Sequence, residues 1–401
     1  MSKSDIESNV NNKANTSVIS NNNNNDNNNN NDNNGNNRVH FLDSEHLDIT
    51  ADVIQLSNDP PTGNITPVFS QESDSVLGGP TEFSFIHTLN LLIFNSFLGT
   101  AIRLGLNALF KYKDQQVFEV IYAQLFGSFL FGFLQSTQQT VLKNNLNLFL
   151  GFGTGLCGCI TTFSSFSLIA FTNLFHINAK SGVLQGILSA ITVLVITLTG
   201  SLSSLKYGKL LGKKLNNFIL ERRAKKMLNQ NASKSNTNTR SEVVIHDCFI
   251  RYVLLFLASV VPWTIIIVTC IWIPQGRNWT ISLALSPLGT LLRFLLRRLN
   301  ALSSTFFWGT YVANILGTGI LGLLFILQDP KIGYCGTDSD WKCEIIFGFS
   351  NGFCACLTTI STFVSELNSL HTKKSHIYGL VSIVSGQIIL LVIVGSWVWS
   401  N

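Results

Sequence analysis

Residues 155–166 read GLCGCITTFSSF, and residues 352–363 read GFCACLTTISTF. Both stretches lie within long apolar runs, where glycine and paired β-branched threonine are poor continuous helix. In a membrane, irregular backbone is tolerated only where protein or a water-filled cavity satisfies its polar groups. We therefore expect a helix break in each copy, although close packing through small residues is an alternative for this composition.

Two further blocks match on the N-terminal side of these stretches. Residues 99–103 (GTAIR) match 289–293 (GTLLR), and residues 123–127 (AQLFG) match 313–317 (ANILG). Three matching blocks in the same order indicate an internal repeat.

The composition indicates a membrane protein. Of 401 residues, 46% are hydrophobic and 12% are charged, whereas an average soluble domain has about 25% charged residues. Apolar runs long enough to cross roughly 30 Å of hydrocarbon predict an all-α protein with nine spans, at about 85–109, 118–137, 147–175, 183–204, 251–273, 281–300, 306–327, 344–369 and 377–399.

The predicted chain has five parts. They are a disordered, Asn-rich tail (1–80), a first four-helix repeat (81–204), a basic linker (205–250), a linking transmembrane helix (251–273) and a second four-helix repeat (274–401). Positive charge favours the cytosolic side, so the linker and the N-terminus are expected in the cytosol and the C-terminus outside. The odd fifth span inverts the second repeat, as in many transporters.

The charge pattern does not suggest a nucleic-acid partner. The net charge is +5, and Lys and Arg occur in short groups between apolar runs without interleaved aromatic residues. The partner expected from composition is the lipid bilayer.

Several repeated side chains are candidates to line a path for an anion. Aromatic rings have an electropositive edge, amides and hydroxyls can donate hydrogen bonds, and serine and threonine at i, i+3 share a helix face. The candidates are Phe163, Phe166, Phe363, Asn314, Gln124, Ser189, Thr192, Ser382 and Ser385. Each also has a plainer interpretation: core packing for the rings, interhelical bonding for the amides and bonding to backbone for the hydroxyls.

Other repeated residues are assigned structural roles. These are Arg103, Arg293, Thr161, Thr162, Thr358 and Thr359. Arginine within an apolar span marks a functional site by default, with snorkelling to the interface as the alternative. The Cys-x-Cys pairs at 157–159 and 354–356 could suggest metal ligands, but small residues are what a helix crossing needs. Glu366 has Ile169 at its partner position, which weakens any shared acid–base role.

The repeated blocks resemble the fluoride channel family. This family includes four-span bacterial Fluc (CrcB) subunits and, closer to this chain, the eukaryotic fluoride exporters (FEX), in which two such subunits are fused through an extra helix. The resemblance covers residues 85–400, and its most specific piece lies at 151–166. It implies a fluoride-selective channel that exports fluoride from the cytosol across the plasma membrane and confers fluoride resistance.

The same resemblance implies roles for individual residues. A central structural sodium ion would be held by the carbonyls of Gly158, Thr161, Ala355 and Thr358. The family's pore asparagine corresponds to Asn314, its phenylalanines to Phe163 with Phe166 and Ile360 with Phe363, and its pore hydroxyl to Ser189 and Ser382. The fused repeats imply a functional monomer.

Two departures from the family pattern predict unequal pores. Gln124 replaces one asparagine and Ile360 replaces one phenylalanine. In the family each pore takes its rings from both subunits, which pairs Phe163 with Phe363 and leaves Phe166 with Ile360. We expect one working pore and one degenerate pore.

Other functions remain as alternatives. A membrane-embedded enzyme would need intramembrane His, Asp or Glu arranged as a site, and the spans have no more than carboxylates at their edges. A proton-coupled anion transporter of the same architecture would need a central ionisable residue, which the sequence does not indicate. No phosphate-binding loop motif occurs, so passive export driven by the membrane potential is expected.

Two expectations concern the outer loops. Asn278 is placed in the loop between the fifth and sixth spans, within the glycosylation sequon Asn278-Trp279-Thr280. Cys335 and Cys343 lie in one polar loop that faces an oxidising compartment, so a disulfide between them is expected.

Overall fold

The computed structural model describes residues 82–113, 115, 117–141, 146–175, 182–230, 243–274, 276–329, 332 and 341–400. The predicted tail at 1–80 and Cys335 lie outside these residues. Cys343 is disulfide-bonded, but its predicted pairing with Cys335 stays a prediction.

The described residues form helices and no strands. Nine helical elements follow one another along the chain, and the third and eighth are each divided by a break. Their bounds are α1 (Glu82–Leu109), α2 (Val120–Val141), α3a (Leu146–Leu150, Gly151–Cys157 and Gly158–Ile160), α3b (Phe163–Leu174), α4 (Val183–Gln230), α5 (Val243–Trp272), α6 (Arg277–Leu296, extended by the 3₁₀ turn Arg297–Leu302), α7 (Trp308–Leu327), α8a (Trp341–Gly348, Phe349–Cys354 and Ala355–Leu357), α8b (Ser361–Ser369) and α9 (Thr372–Leu390, Leu391–Gly395 and Ser396–Ser400).

Within the described residues, eight helical segments are long and apolar enough to cross a membrane. They correspond to all the predicted spans except the fifth. α5 contains a shorter apolar segment, Phe256–Trp272. The all-helical membrane architecture is therefore confirmed, and the count of nine spans stays a prediction.

The third helix of each repeat is broken, as predicted. α3a ends at Ile160, and Thr161 and Thr162 are extended, with φ/ψ of −98°/149° and −143°/128°. In the second repeat Thr358 is extended at −92°/157°. A stretch of π-helix precedes both breaks, and such widened turns often occur at functional sites.

The two repeats pack around each other reciprocally. α3b contacts α7 and α9 of the second repeat, and α8b contacts α2 and α4 of the first. α1 and α6 contact each other, and α5 lies against both. An exchange of equivalent contacts is what a pseudo-twofold axis between the repeats requires, and both breaks lie where the repeats meet.

One element adds to the predictions and another differs from them. α4 is one continuous helix of 48 residues, so residues 205–230 of the predicted linker extend the fourth helix. This stretch contains no proline and a single glycine pair, Gly208 and Gly212, so nothing local ends the helix. Asn278 lies in the first turn of α6 instead of a loop, and its backbone carbonyl accepts a hydrogen bond from Ser282.

Candidate functional site

The amide side chains of Gln124 and Asn314 hold the two breaks. Gln124 Nε2 donates to Thr162 O at 2.6 Å, and Thr162 N donates to Gln124 Oε1 at 3.1 Å. Asn314 repeats the pattern with Thr359, at 3.4 Å and 2.9 Å. Each amide therefore satisfies the backbone groups that the break leaves without helical partners. In this structure both act as interhelical links as well as candidate pore residues.

The threonine at the start of each break caps a helix of the opposite repeat. Thr161 Oγ1 accepts from Ser361 N at 3.1 Å, and Thr358 Oγ1 accepts from Ser164 N at 3.2 Å. These amides belong to the first turns of α8b and α3b, where backbone N–H groups lack intrahelical partners. Thr162 Oγ1 also lies 3.0 Å from Thr358 Oγ1, and Thr161 Oγ1 lies 3.1 Å from Thr359 Oγ1. The four predicted structural threonines thus form two hydroxyl pairs, each of which joins one repeat to the other.

Arg103 and Arg293 are buried, with 1% and 5% of their surface exposed, and they do not snorkel to the membrane surface. Arg103 donates to Cys159 O at 2.6 Å and to Asn351 O of the other repeat. Arg293 donates to Gly158 O at 2.9 Å and to Thr358 O at 3.1 Å. Both guanidinium groups therefore bridge the repeats. Cations suit these positions, because the carbonyls at the C-terminal end of a helix carry partial negative charge.

The four carbonyls proposed for sodium lie at the ends of α3a and α8a. Gly158 O and Thr358 O come from different repeats and converge on one nitrogen of Arg293. Neutral carbonyl oxygens are ligands that hard cations accept, so the donor set fits a small cation in kind. Arg293 shares two of these oxygens, and its charge opposes a second cation there.

The predicted aromatic pair is in contact. Phe163 and Phe363 come from different repeats, and their ring centroids are 5.5 Å apart at an interplanar angle of 82°. Phe166 contacts Phe163 at 4.9 Å and 84°. Ile360 is fully buried in the same cluster of side chains. The edge-to-face arrangement leaves ring edges directed across the interface between the repeats.

A row of polar residues on α9 follows the aromatic pair. Tyr378 lies 5.3 Å from Phe363 between ring centroids, and Ser382 is fully buried one turn later. Gly386, a further turn on, lets the helix approach closely: a Cβ there would lie 3.2 Å from Phe163 Cε1. Ser382 Oγ donates to Tyr378 O, while Ser385 is half-buried and accepts from Tyr311 OH at 3.0 Å.

Glu366 is buried beside this row. Thr310 Oγ1 donates to one carboxylate oxygen at 2.5 Å, and Tyr378 OH donates to the other at 2.7 Å. Only 7% of its surface is exposed. Glu366 is near the end of its span in sequence, as expected, but its side chain lies in the protein interior.

Two glycines show which residues of α4 and α9 occupy equivalent positions in the two repeats. Gly132 in α2 and Gly322 in α7 are equivalent in the repeat. A Cβ at Gly132 would meet Leu205, and one at Gly322 would meet Leu390. Leu205 and Leu390 are both fully buried. These leucines are therefore equivalent, which fixes how the two helices correspond.

This register corrects the predicted counterpart of Ser382. The residue eight positions before Leu390 is Ser382, and the residue eight before Leu205 is Thr197. Both are fully buried. Ser189 and Thr192 are exposed, and they bond to Asn173 and to a backbone carbonyl of their own helix. The structure does not bring them to the aromatic cluster, because each lies about two turns before the position that corresponds to Ser382 or Ser385.

The cysteines of the Cys-x-Cys pairs are buried and connect the repeats. Cys159 Sγ lies 2.9 Å from Thr290 Oγ1, and Cys356 Sγ lies 3.1 Å from Thr100 Oγ1. Within the residues that the structure describes, no three His, Cys, Asp or Glu side chains are arranged so that they could hold a metal ion.

Sequence reasoning missed three residues of the site, Tyr378, Thr310 and Thr197, and it assigned Glu366 no role. One signal was present: Tyr378, Ser382 and Gly386 recur at i, i+4 and i+8 on α9 and so share one face. The corresponding face of α4 carries Thr197, which the sequence match alone did not place.

Comparison with known proteins shows which family model and which proteins this chain is similar to. The family model "CrcB-like protein, Camphor Resistance (CrcB)" matches twice, at residues 90–201 and 280–396. Fluoride export protein 1 of Neurospora crassa is 28% identical over 378 residues, covering 79% of this chain and 67% of that protein. Fluoride export protein 1 of Saccharomyces cerevisiae is 27% identical, covering 79% and 94%. The fluoride-specific ion channel FluC of Leptospira interrogans is 31% identical over 120 residues, covering 28% of this chain and 87% of FluC. No solved structure matches.

Proposed function

The chain belongs to the CrcB-like protein family, and from this premise we propose that it is a fluoride-selective channel that exports fluoride passively. It carries the family domain twice. The proteins to which it is similar are named as fluoride export proteins and as a fluoride-specific ion channel. This is channel function and not enzymatic catalysis.

The observation that carries the proposal is the neutral, buried cluster between the repeats. Phe163 and Phe363 meet edge to face at 5.5 Å, and Ser382 lies fully buried on the adjacent helix. Fluoride holds its water strongly, so a pore must replace that water with other donors. Ring edges and hydroxyls can do this without a fixed charge. Conduction needs sites that are weak enough to release the ion, and neutral donors meet this condition.

The hydroxyl of Ser382 must turn for this role. Its hydrogen is directed at Tyr378 O, and rotation about its C–O bond is all that is needed to direct it at an anion. Asn314 Nδ2 is 3.4 Å from Thr359 O, a long contact that leaves the amide able to donate elsewhere.

We assign the working pore to the side that contains Phe163, Phe363, Tyr378 and Ser382. On the other side the position of Tyr378 is taken by Val193, and Ile360 replaces a phenylalanine. Val193 and Ile360 offer no polar donor. This supports one working and one degenerate pore.

The fused repeats make a functional monomer in the plasma membrane our expectation, with a cytosolic N-terminus and an extracellular C-terminus. A central sodium ion is kept as part of the proposal on the kind of donor, because neutral backbone carbonyls suit a hard cation; Arg293 already bonds to Gly158 O and Thr358 O. Its test is the melting temperature of the protein in sodium against N-methylglucamine. An equal melting temperature and an equal fluoride flux in the two solutions would exclude a role for sodium.

Fluoride current from protein in planar bilayers or liposomes tests the function. For each anion that leaves a cell with a negative interior, the free energy falls by about 2.3 kcal/mol per 100 mV. No other energy source is therefore needed. The reversal potential should follow the fluoride gradient and ignore a proton gradient. Chloride current of comparable size would exclude the selectivity.

A proton-coupled anion transporter is the second candidate, and Glu366 favours it. A buried carboxylate one turn from Phe363 is the kind of group that relays protons in transporters. Coupling predicts a reversal potential that shifts with pH at fixed fluoride. A passive channel predicts no shift.

A further inference from the structure

A groove on the outer surface of the helices runs between α2 and α4. It has a volume of about 400 Å³ and is lined by Leu125, Phe126 and Phe129 of α2 and by Ser203, Ser204 and Tyr207 of α4. Glycines allow the close approach of the two helices beneath it: a Cβ at Gly208 would lie 2.0 Å from Phe129 O. Phe126 and Tyr207 are 42% and 72% exposed. The groove is therefore an open apolar surface at the level of the membrane.

The groove lies where α4 leaves the hydrocarbon. Residues 183–205 contain no charged side chain, and at 1.5 Å per residue they extend about 35 Å, which is enough to cross the hydrocarbon core of about 30 Å. Tyr207 comes directly after this segment, at the depth where tyrosine is enriched. Lys206 is the first charged residue on the helix.

Two exposed lysines of α4, Lys206 and Lys214, lie beside and beyond the residues that line the groove, with Lys209 and Lys213 between them in sequence. Lys206 adjoins Tyr207, and Lys214 lies two turns beyond it on the same helix face. Side chains on a helix lean towards its N-terminus, so Lys214 leans back towards Tyr207 and Lys206 leans back towards Ser203. Within the described residues neither lysine has a carboxylate partner. α2 contains no acidic residue, and the one acid of α4 is Glu221.

We propose that the groove binds one anionic phospholipid, with an acyl chain against Phe126 and Phe129 and the headgroup phosphate between Lys206 and Lys214. The apolar lining matches the chain, and the two lysines match the charge. Juxtamembrane lysines attract anionic lipids with about 1 kcal/mol each, which for two lysines corresponds to more than tenfold in affinity.

The far end of α4 provides a matched control. Arg222 and Arg223 carry the same charge as the two lysines, but they lie about 24 Å beyond Lys206 along the helix. That distance exceeds the screening length of about 8 Å at physiological salt. A site at the groove needs the lysines and not these arginines.

Native mass spectrometry of the full-length protein in detergent tests the site, with phosphatidylserine and phosphatidylcholine of identical chains as probes. The unmodified protein and Arg222→Gln/Arg223→Gln should bind phosphatidylserine with more than tenfold higher affinity than phosphatidylcholine. Lys206→Gln/Lys214→Gln should lose this preference, and Ser203→Trp, which fills the groove, should lose the bound lipid. The melting temperature checks that each variant is folded.

Three results would overturn the proposal. The first is a preference for phosphatidylserine that survives Lys206→Gln/Lys214→Gln or Ser203→Trp in folded protein. The second is an equal loss in Arg222→Gln/Arg223→Gln, which would mean diffuse attraction by the whole basic helix. The third is a dimer that excludes added phosphatidylserine, because a second copy would then cover the groove.

Discussion

Thr161 of the first repeat and Ser361 of the second are 3.1 Å apart, from hydroxyl oxygen to backbone nitrogen. The equivalent pair, Thr358 and Ser164, is 3.2 Å apart. Each repeat therefore supplies the cap for the half-helix of the other. This relationship makes the broken helices interdependent. α3b also has a cap from its own repeat, because Thr162 Oγ1 accepts from Ser165 N at 3.5 Å.

The first prediction follows from these caps. Thr161→Val and Thr358→Val keep the shape of the side chain and remove the acceptor, so each should lower the free energy of unfolding by about 1–2 kcal/mol. Thermal unfolding in detergent measures the loss. Thr192→Val is the control, since this hydroxyl is exposed and bonds within its own helix. Melting temperatures equal to that of the control would show that the caps contribute nothing.

The second prediction concerns the aromatic pair. Phe163→Ile and Phe363→Ile each remove a ring edge from the contact at 5.5 Å, and fluoride flux from liposomes should fall by more than about tenfold. Ile360→Ala should leave most of the flux, because this buried side chain has no donor to lose. Comparable losses in all three variants would argue that the effect is on packing and not on the ion.

The third prediction separates two roles of the amides. Gln124 and Asn314 make the same pair of bonds to their breaks, so Gln124→Ala and Asn314→Ala should both lower the melting temperature. Flux per folded protein should be lost in Asn314→Ala and largely kept in Gln124→Ala. Equal loss of flux would mean two live pores, or one pore that uses both amides.

The repeat and its breaks could be predicted from sequence because their causes are local. Glycine and paired threonine disfavour helix wherever they stand, and the matching blocks are visible as letters. The contact between Phe163 and Phe363 was also predicted, but from resemblance to a family and not from the residues themselves.

The fourth helices could not be placed in the same way. α4 and α9 share no block of letters, so the hydroxyls at Ser189 and Ser382 were matched by type. The true register depends on how close glycines such as Gly132 approach a neighbouring helix, which is a property of packing. Glu366 was undervalued for a related reason, because its burial arises from Thr310 and Tyr378 on other helices.

The fourth prediction uses the corrected register. Ser382→Ala removes a fully buried hydroxyl beside Tyr378 and should reduce fluoride flux several-fold, about the effect of one hydrogen bond of roughly 1 kcal/mol. Ser189→Ala should have no effect, because Ser189 is exposed and bonds to Asn173. Thr197→Val tests the degenerate side and should also leave the flux unchanged. A loss of fluoride flux in Ser189→Ala would support the equivalence of Ser189 and Ser382 that was predicted from sequence.

The last prediction decides between a channel and a coupled transporter. Glu366→Gln keeps one oxygen that can accept from Thr310 or from Tyr378 and removes the titratable carboxylate. In a passive channel the current–voltage curve of both the unmodified protein and this variant should reverse at the fluoride equilibrium potential, at pH 6 and at pH 8 alike. Flux in the variant should be equal or higher, because a negative charge one turn from Phe363 opposes an anion.

Glu366→Leu is the control for packing, since it leaves two buried hydroxyls without their acceptor and should lower the melting temperature. A reversal potential that moves with pH in the unmodified protein and becomes fixed in Glu366→Gln would establish proton coupling through this carboxylate.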